Sequence, residues 1–232
     1  MTKKRKRIIV VYENVVAVQR ETMRILTVSD KVEESFFQEH LLRKKCDGVR
    51  LILACGDLPS YYLEYLLNSL NVPLYYVPGN HDEELHSKEK PFASGCINID
   101  ERVITFEGWL FGGLGGAFHY RKGKYLYTER QMQRKARKMI PRMALNKIKY
   151  KRYLDILITH APPFSIHDDK TLAHRGFKEF LKFMKKYRPA YLIHGHTAPV
   201  AENGTLTSHY SSTKIINTNN FRILDIHHGS VR

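Results

Sequence analysis

From Met23 onward, short apolar runs rich in β-branched residues alternate with longer segments whose apolar positions recur every three or four residues. The runs cover Arg24 to Val28, Val49 to Leu53 and Leu74 to Val77, and the periodic segments cover Glu34 to Lys45 and Tyr61 to Leu70. Such runs predict strands, and such periodicity predicts helices. Their alternation predicts parallel strands joined by right-handed crossovers. The middle of the chain reads differently. Cys96 to Ile99, Val103 to Phe106 and Trp109 to Phe111 predict antiparallel strands joined by tight turns. A second α/β stretch follows, with strands over Tyr153 to Ile158 and Ala190 to Ile193 on either side of a helix over Gly176 to Lys186. Lys214 to Asn217 and Phe221 to Ile226, around Thr218, Asn219 and Asn220, predict a closing hairpin.

Between the two α/β stretches, Thr128 and Gln131 have capping-box spacing. Met132, Ala136, Met139, Ile140, Met143, Ala144 and Ile148 then recur at helical spacing. Pro141 predicts a kink or a split into two helices, because it lacks an N–H and its ring clashes with the preceding turn. The apolar stripe packs down, while Arg130, Arg134, Lys135, Arg137, Lys138 and Arg142 occupy the displayed side. The nearby Gly112-Gly113-Leu114-Gly115-Gly116 lacks the Gly-Lys-Ser/Thr ending of a phosphate loop, and predicts a turn with positive φ instead.

Chemistry concentrates where the strands end. Ser29-Asp30-Lys31-Val32, Cys55-Gly56-Asp57, Gly79-Asn80-His81-Asp82, Thr159-His160-Ala161-Pro162 and His194-Gly195-His196-Thr197 each follow an apolar run and carry Asp, Asn or His. Ligands of open α/β sheets bind beyond the carboxyl ends of the strands, so these five clusters predict a single metal-binding crevice. His167 and Arg175, in the loop after Pro163, are candidates to touch a substrate; His119 and His174 stand between that role and a plain surface one.

Composition changes the picture in two ways. Cys46, Cys55 and Cys96 are odd in number and lack Cys-x-x-Cys spacing, so neither a disulfide framework nor a zinc knuckle is implied, and a reducing cytoplasm fits. The net charge of +15 is unevenly placed. Residues 117–152 hold 13 Lys or Arg against one acid, Glu129, and Lys3 to Arg7 add five cations, leaving the remainder near neutral. Such asymmetry often marks a surface for polyanions, with an ordinary solvated helix face as the alternative. Ile8 to Val18 follows that basic start as a signal peptide would, but Glu13 and Asn14 interrupt it and Gln19, Arg20 and Glu21 replace a small-residue cleavage site. Residues 1–22 are therefore expected to form an extension or an added edge strand, and 23–232 the main domain. The stretch is too short to span a bilayer.

The ordered set Asp30, Gly56-Asp57, Gly79-Asn80-His81-Asp82, His160 and His194-Gly195-His196 resembles the calcineurin-like metallophosphoesterase superfamily over most of the chain from Met23 onward. The resemblance implies a layered α/β/β/α sandwich, here with residues 117–152 as a basic helical cap over the metal mouth. It implies two divalent ions, Mn, Fe or Zn, bridged by Asp57. Asn80, His160 and His194 would complete one site, and Asp30 and His196 would belong to the other. A metal-bound hydroxide would attack phosphorus in line, His81 would stabilise the transition state or protonate the leaving oxygen, and Asp82 would orient His81.

One departure bears on all of this. The family's first motif is usually Asp-x-His, and here it reads Asp30-Lys31-Val32, with a side chain that cannot bind metal. Weak binding at the first site is the expectation. The function implied is hydrolysis of a phosphomonoester or phosphodiester, with a nucleotide, nucleic-acid end or other polyphosphorylated substrate drawn to the basic segment. The alternatives are a scaffold that has lost hydrolysis and a nucleic-acid-binding protein.

Overall fold

The computed structural model describes residues 22–82, 93–169, 171–198 and 206–228. Nearly all of the expected N-terminal extension lies outside the described residues. Two sheets form the centre, the first joining strands from both ends of the described chain. The first has the order β13-β1-β2-β3-β4, with β1 (Thr22–Ser29), β2 (Leu51–Ala54), β3 (Leu74–Tyr76), β4 (Ile97–Asn98) and β13 (Asn220–His227). The second has the order β11-β12-β10-β9-β6-β5, with β5 (Val103–Phe106), β6 (Trp109–Leu114), β9 (Ile156–Thr159), β10 (Tyr191–His194), β11 (Thr207–Tyr210) and β12 (Thr213–Asn217). A small pair, β7 (Ala117–Phe118) and β8 (Leu126–Tyr127), follows β6.

Alternation along the strands sorts side chains between layers. Leu51 and Leu53 of β2 enter the core between the sheets, with Ile156 and Ile158 of β9 and Ile193 of β10. Ile52 and Ala54 face outward under α1 (Glu39–Lys45) and α2 (Ser60–Leu70). Leu157 and Leu192 face the other way, under α3 (Glu129–Lys138), α4 (Ile140–Tyr150) and α5 (Lys178–Tyr187). Both sheets are therefore buried on two faces, and the layers run α/β/β/α.

Several local expectations are corrected. The tail strands do not form a hairpin: β12 pairs with β10 and β11, whereas β13 crosses to the other sheet and runs antiparallel to β1. Asn219 and Asn220, both at positive φ, turn the chain between the sheets. β4 pairs parallel with β3, so only β5 and β6 of the middle runs are antiparallel. The segment read as one helix from Glu34 is a 3-10 turn, Glu34–Phe37, followed by α1, because Gln38 between them is extended. Gly112 and Gly113 lie within β6 rather than in a turn, and a Cβ on Gly113 would sit 2.6 Å from the Ile99 carbonyl oxygen.

The basic segment does split before Pro141, and the Thr128–Gln131 capping box forms. Its helices pack on the outer face of the second sheet beside α5. Lys135 is not displayed. It falls on the buried stripe with Met132, Ala136 and Met139, and its ammonium lies 2.6 Å from the Asp100 carboxylate and 4.2 Å from the centre of the Tyr127 ring.

Candidate metal centre

The C-terminal ends of β1, β2 and β3 bring Asp30, Asp57 and Asn80 to one rim, and the ends of β9 and β10 bring His160 and His196 across from them. The backbone has to turn sharply to do this. Asp30, Asp57 and His196 all take left-handed φ, at 64°, 57° and 69°. Such conformations cost on the order of 1–3 kcal/mol each and persist where surrounding contacts hold them. Those contacts are visible: Asp30 N–H donates to the Gly56 carbonyl at 3.2 Å, His196 N–H to Asp30 Oδ2 at 2.9 Å, and Gly195 N–H to the His160 carbonyl at 3.0 Å. A Cβ on Gly79 would collide with the Asp57 carboxylate, so glycine is required for the close approach of the two loops.

His160 is the hub. It is wholly buried, with Nδ1 2.7 Å from the Cys55 carbonyl oxygen and Nε2 2.9 Å from Asn80 Oδ1 and 3.2 Å from Asp57 Oδ2. The other Asp57 oxygen accepts the His81 N–H at 2.7 Å. His196 places Nε2 2.8 Å from the Ala173 carbonyl, and its ring centroid is 4.7 Å from that of His160. Ligand atoms of Asp57, His160 and His196 all lie within 4.8 Å of one another.

Electrostatics follows from that packing. Burial works to lower the His160 pKa, but the Asp57 carboxylate overrides it and holds the imidazole up at about 9. Burial likewise works to raise Asp57, and His160 with the His81 N–H brings it down to about 2. Burial pushes His194 and His196 each down to about 3, and raises Asp30.

The expected ligands are not all gathered. Asp30, Asp57, Asn80, His81 and His196 line a cleft of 330 Å³, and His160 lies beneath it. His194 turns elsewhere: its Nε2 is 2.9 Å from His167 Nδ1, and its Nδ1 is 3.0 Å from the Gly195 carbonyl oxygen. His167 continues to Ser208 Oγ at 2.8 Å, so that histidine is engaged beside the cleft rather than in it. Asp82 is buried under the Gly79 turn and accepts the Gly79 N–H at 2.8 Å. Val32 packs against the apolar cluster beneath α1 and α2, and the Glu33 carboxylate is bonded to Ser35 and Asn220.

Tyr120, Ala173 and His174 complete the wall. Tyr120 had no signal of its own in the sequence; only the pairing of β7 with β8 carries it to the cleft. Arg175 lies between the Phe118 and Phe164 rings, 5.0 and 5.2 Å from their centroids.

Carboxylate, amide oxygen and imidazole gathered at the strand ends of a double-sheet sandwich define a metallophosphoesterase class of protein. The chain belongs to the calcineurin-like phosphoesterase family, whose profile matches residues 23–200, and that family uses divalent metals. Solved structures match the chain at low identity, and the first of them shares its fold. TT1561 of Thermus thermophilus matches with a TM-score of 0.58 and 14% identity, covering 89% of this chain and 99% of that one. Vacuolar Protein Sorting 29 from Cryptosporidium parvum matches with a TM-score of 0.46 and 12% identity, covering 90% of this chain and 87% of that one. No curated protein matches the chain. Among the described residues, no helix is long and apolar enough to cross a membrane.

Proposed function

We propose that the cleft hydrolyses a phosphate ester with a divalent ion held by Asp57, Asn80, His160 and His196. The convergence of these four donor groups on one spot carries the reading. Their chemistry fits the ion. Each imidazole has one nitrogen committed to a backbone carbonyl, which fixes the tautomer and turns the other nitrogen toward the carboxylate side. A mixed oxygen and imidazole set suits Mn, Fe or Zn. Such an ion supplies Lewis-acid activation of water and neutralises charge on the phosphoryl oxygens.

The remaining work falls to side chains of the cleft. His81 stands on its wall to protonate the leaving oxygen, with Asp82 behind it as its orienting partner. Tyr120 and His174 flank the entrance and position the leaving group. A second ion has Asp30 and the shared Asp57 to hold it, since Val32 and Glu33 are engaged elsewhere, so we assign it weak binding. Cys46, Cys55 and Cys96 are free thiols, which supports a reducing compartment such as the cytoplasm. The incomplete second set is also the observation that favours the other reading, a scaffold with weak or lost hydrolysis.

The test uses metal-stripped protein on nitrophenyl phosphate and bis-nitrophenyl phosphate, with Mn, Fe, Zn, Ni or Mg restored in turn, beside Asp57→Asn. Activity that returns with metal and is lost by at least ~100-fold in the variant supports the phosphoesterase and ranks monoester against diester. Silence with metal demonstrably bound favours the scaffold.

A further inference from the structure

A second recognition surface lies outside the cleft. The helices over the second sheet, α3, α4 and α5, carry twelve Lys or Arg against two acids, Glu129 and Glu179. The helices over the first sheet, α1 and α2, carry three against Glu39 and Glu64. Among the described helices, the cationic excess thus lies on one outer layer, and α5 contributes to it from far along the chain.

Within that layer α3 and α5 lie side by side. The Glu129 carboxylate at the start of α3 accepts the Lys178 and Glu179 N–H groups at the start of α5, at 2.8 and 3.1 Å, so the two helices begin together. α5 leaves the loop that follows β9 and ends at the turn into β10, and therefore runs from the cleft end of the sheet to the opposite end. Between the two helices is a groove of 220 Å³. Arg137 borders it from α3 and Lys182 and Lys186 from α5, all three exposed, over a floor of Ile140, Phe183 and half-buried Tyr187.

Spacing extends each border. Arg130 and Arg134 precede Arg137 at helical spacing on α3, and Lys178 precedes Lys182 and Lys186 on α5, where its ammonium lies 4.9 Å from the centre of the Phe164 ring. Each row spans about 10–12 Å at 1.5 Å per residue. Glu179 lies in the lining, but Lys182 and Arg137 stand against it electrostatically.

We infer that the α3–α5 groove binds a single-stranded nucleic acid, with phosphates between the two rows of cations and bases against the apolar and aromatic floor. Two parallel rows of cations match a continuous polyanion better than an isolated phosphate. Half-buried Tyr187 supplies an aromatic face that an acidic peptide has no use for. A cavity of 220 Å³ between two packed helices takes the bases of one strand rather than the body of a duplex. The inference deepens the phosphoesterase reading, since a strand leaving the groove at the start of α5 arrives at the cleft side of the molecule.

The experiment is fluorescence anisotropy of labelled oligothymidine and oligouridine, about 20 nucleotides long, with the full chain in chelator so that hydrolysis plays no part. Salt is varied from about 50 to 200 mM. Lys182→Gln/Lys186→Gln is compared with Arg43→Gln/Lys44→Gln, which removes the same charge from α1; all four side chains are exposed, and melting temperatures verify folding. The groove pair is expected to weaken binding roughly tenfold and to reduce the slope of log K against log salt by about 1.4, whereas the α1 pair changes affinity less than about twofold. Equal weakening by both pairs, no binding at about 100 mM salt, or polyglutamate binding as tightly as the strand would each overturn the inference. Binding by the unaltered chain, beside its own silence in the hydrolysis assay with metal bound, would unseat the phosphoesterase reading alone.

Discussion

His194 and His196 flank Gly195 and have opposite fates. The positive φ of His196 swings its ring over the cleft, while His194, the last residue of β10, turns toward His167. His196→Ala is therefore expected to weaken metal binding and lower the metal-dependent rate by at least ~100-fold. His194→Ala removes one of the two partners of His167, and is expected to cost about 1–3 kcal/mol of stability while keeping metal affinity within ~10–100-fold. Calorimetric metal titration of the two variants separates the cases; equal loss of affinity would return His194 to the ligand set. Val32 offers a companion test. Because its side chain packs toward α1 and α2, Val32→His is expected to add no ion to the stoichiometry that the same titration reads.

At the scale of elements, α3 is fastened by a cation placed on its apolar stripe. Lys135 pairs with Asp100, whose other carboxylate oxygen accepts the Gly115 N–H at 2.7 Å, so one pair ties the helix to the loop after β6. Lys135 and Asp100 are both largely shielded from water. Removing one partner of such a pair leaves a desolvated charge. Lys135→Met is expected to cost about 3 kcal/mol, and adding Asp100→Asn to recover part of it. Chemical denaturation of the single and double variants measures the coupling. The sequence pattern located α3 and its capping box correctly, yet placed Lys135 with the displayed cations. A lysine on the stripe looks like any other until a carboxylate from the segment after β4 meets it.

For the whole molecule, the buried histidines set a pH dependence in metal-free protein. His194 and His196 are held near 3, below their unfolded value of about 6.5, so their contribution is full above 6.5 and is lost as pH falls toward 3. His160 is held up at about 9, so its contribution is full below 6.5 and is lost as pH rises through 9. Thermal melts in chelator are expected to peak between about pH 6 and 7 and to decline on both sides. A flat profile from pH 5 to 9 would mean that these histidines are not held in the charge states described.

The α/β alternation was legible because strand runs and helical periods are local properties of the chain, whereas the double-sheet layering was implied by the family resemblance. The crevice was legible too, because strand ends carrying Asp, Asn and His must gather at one edge of parallel sheets. The order of Asp30, Asp57, Asn80, His160 and His196 is thus written in the residues themselves. What tertiary structure decided is which nitrogen or oxygen points where. The left-handed turns at Asp30, Asp57 and His196, the departure of β13 from β12 to pair with β1, and the arrival of Tyr120 at the cleft all depend on contacts between residues far apart in sequence. The cationic layer formed by α3, α4 and α5 has the same origin. Local pattern reports periodicity, but side-chain direction at a turn and adjacency between distant helices are settled only when the two sheets pack and bury their common core.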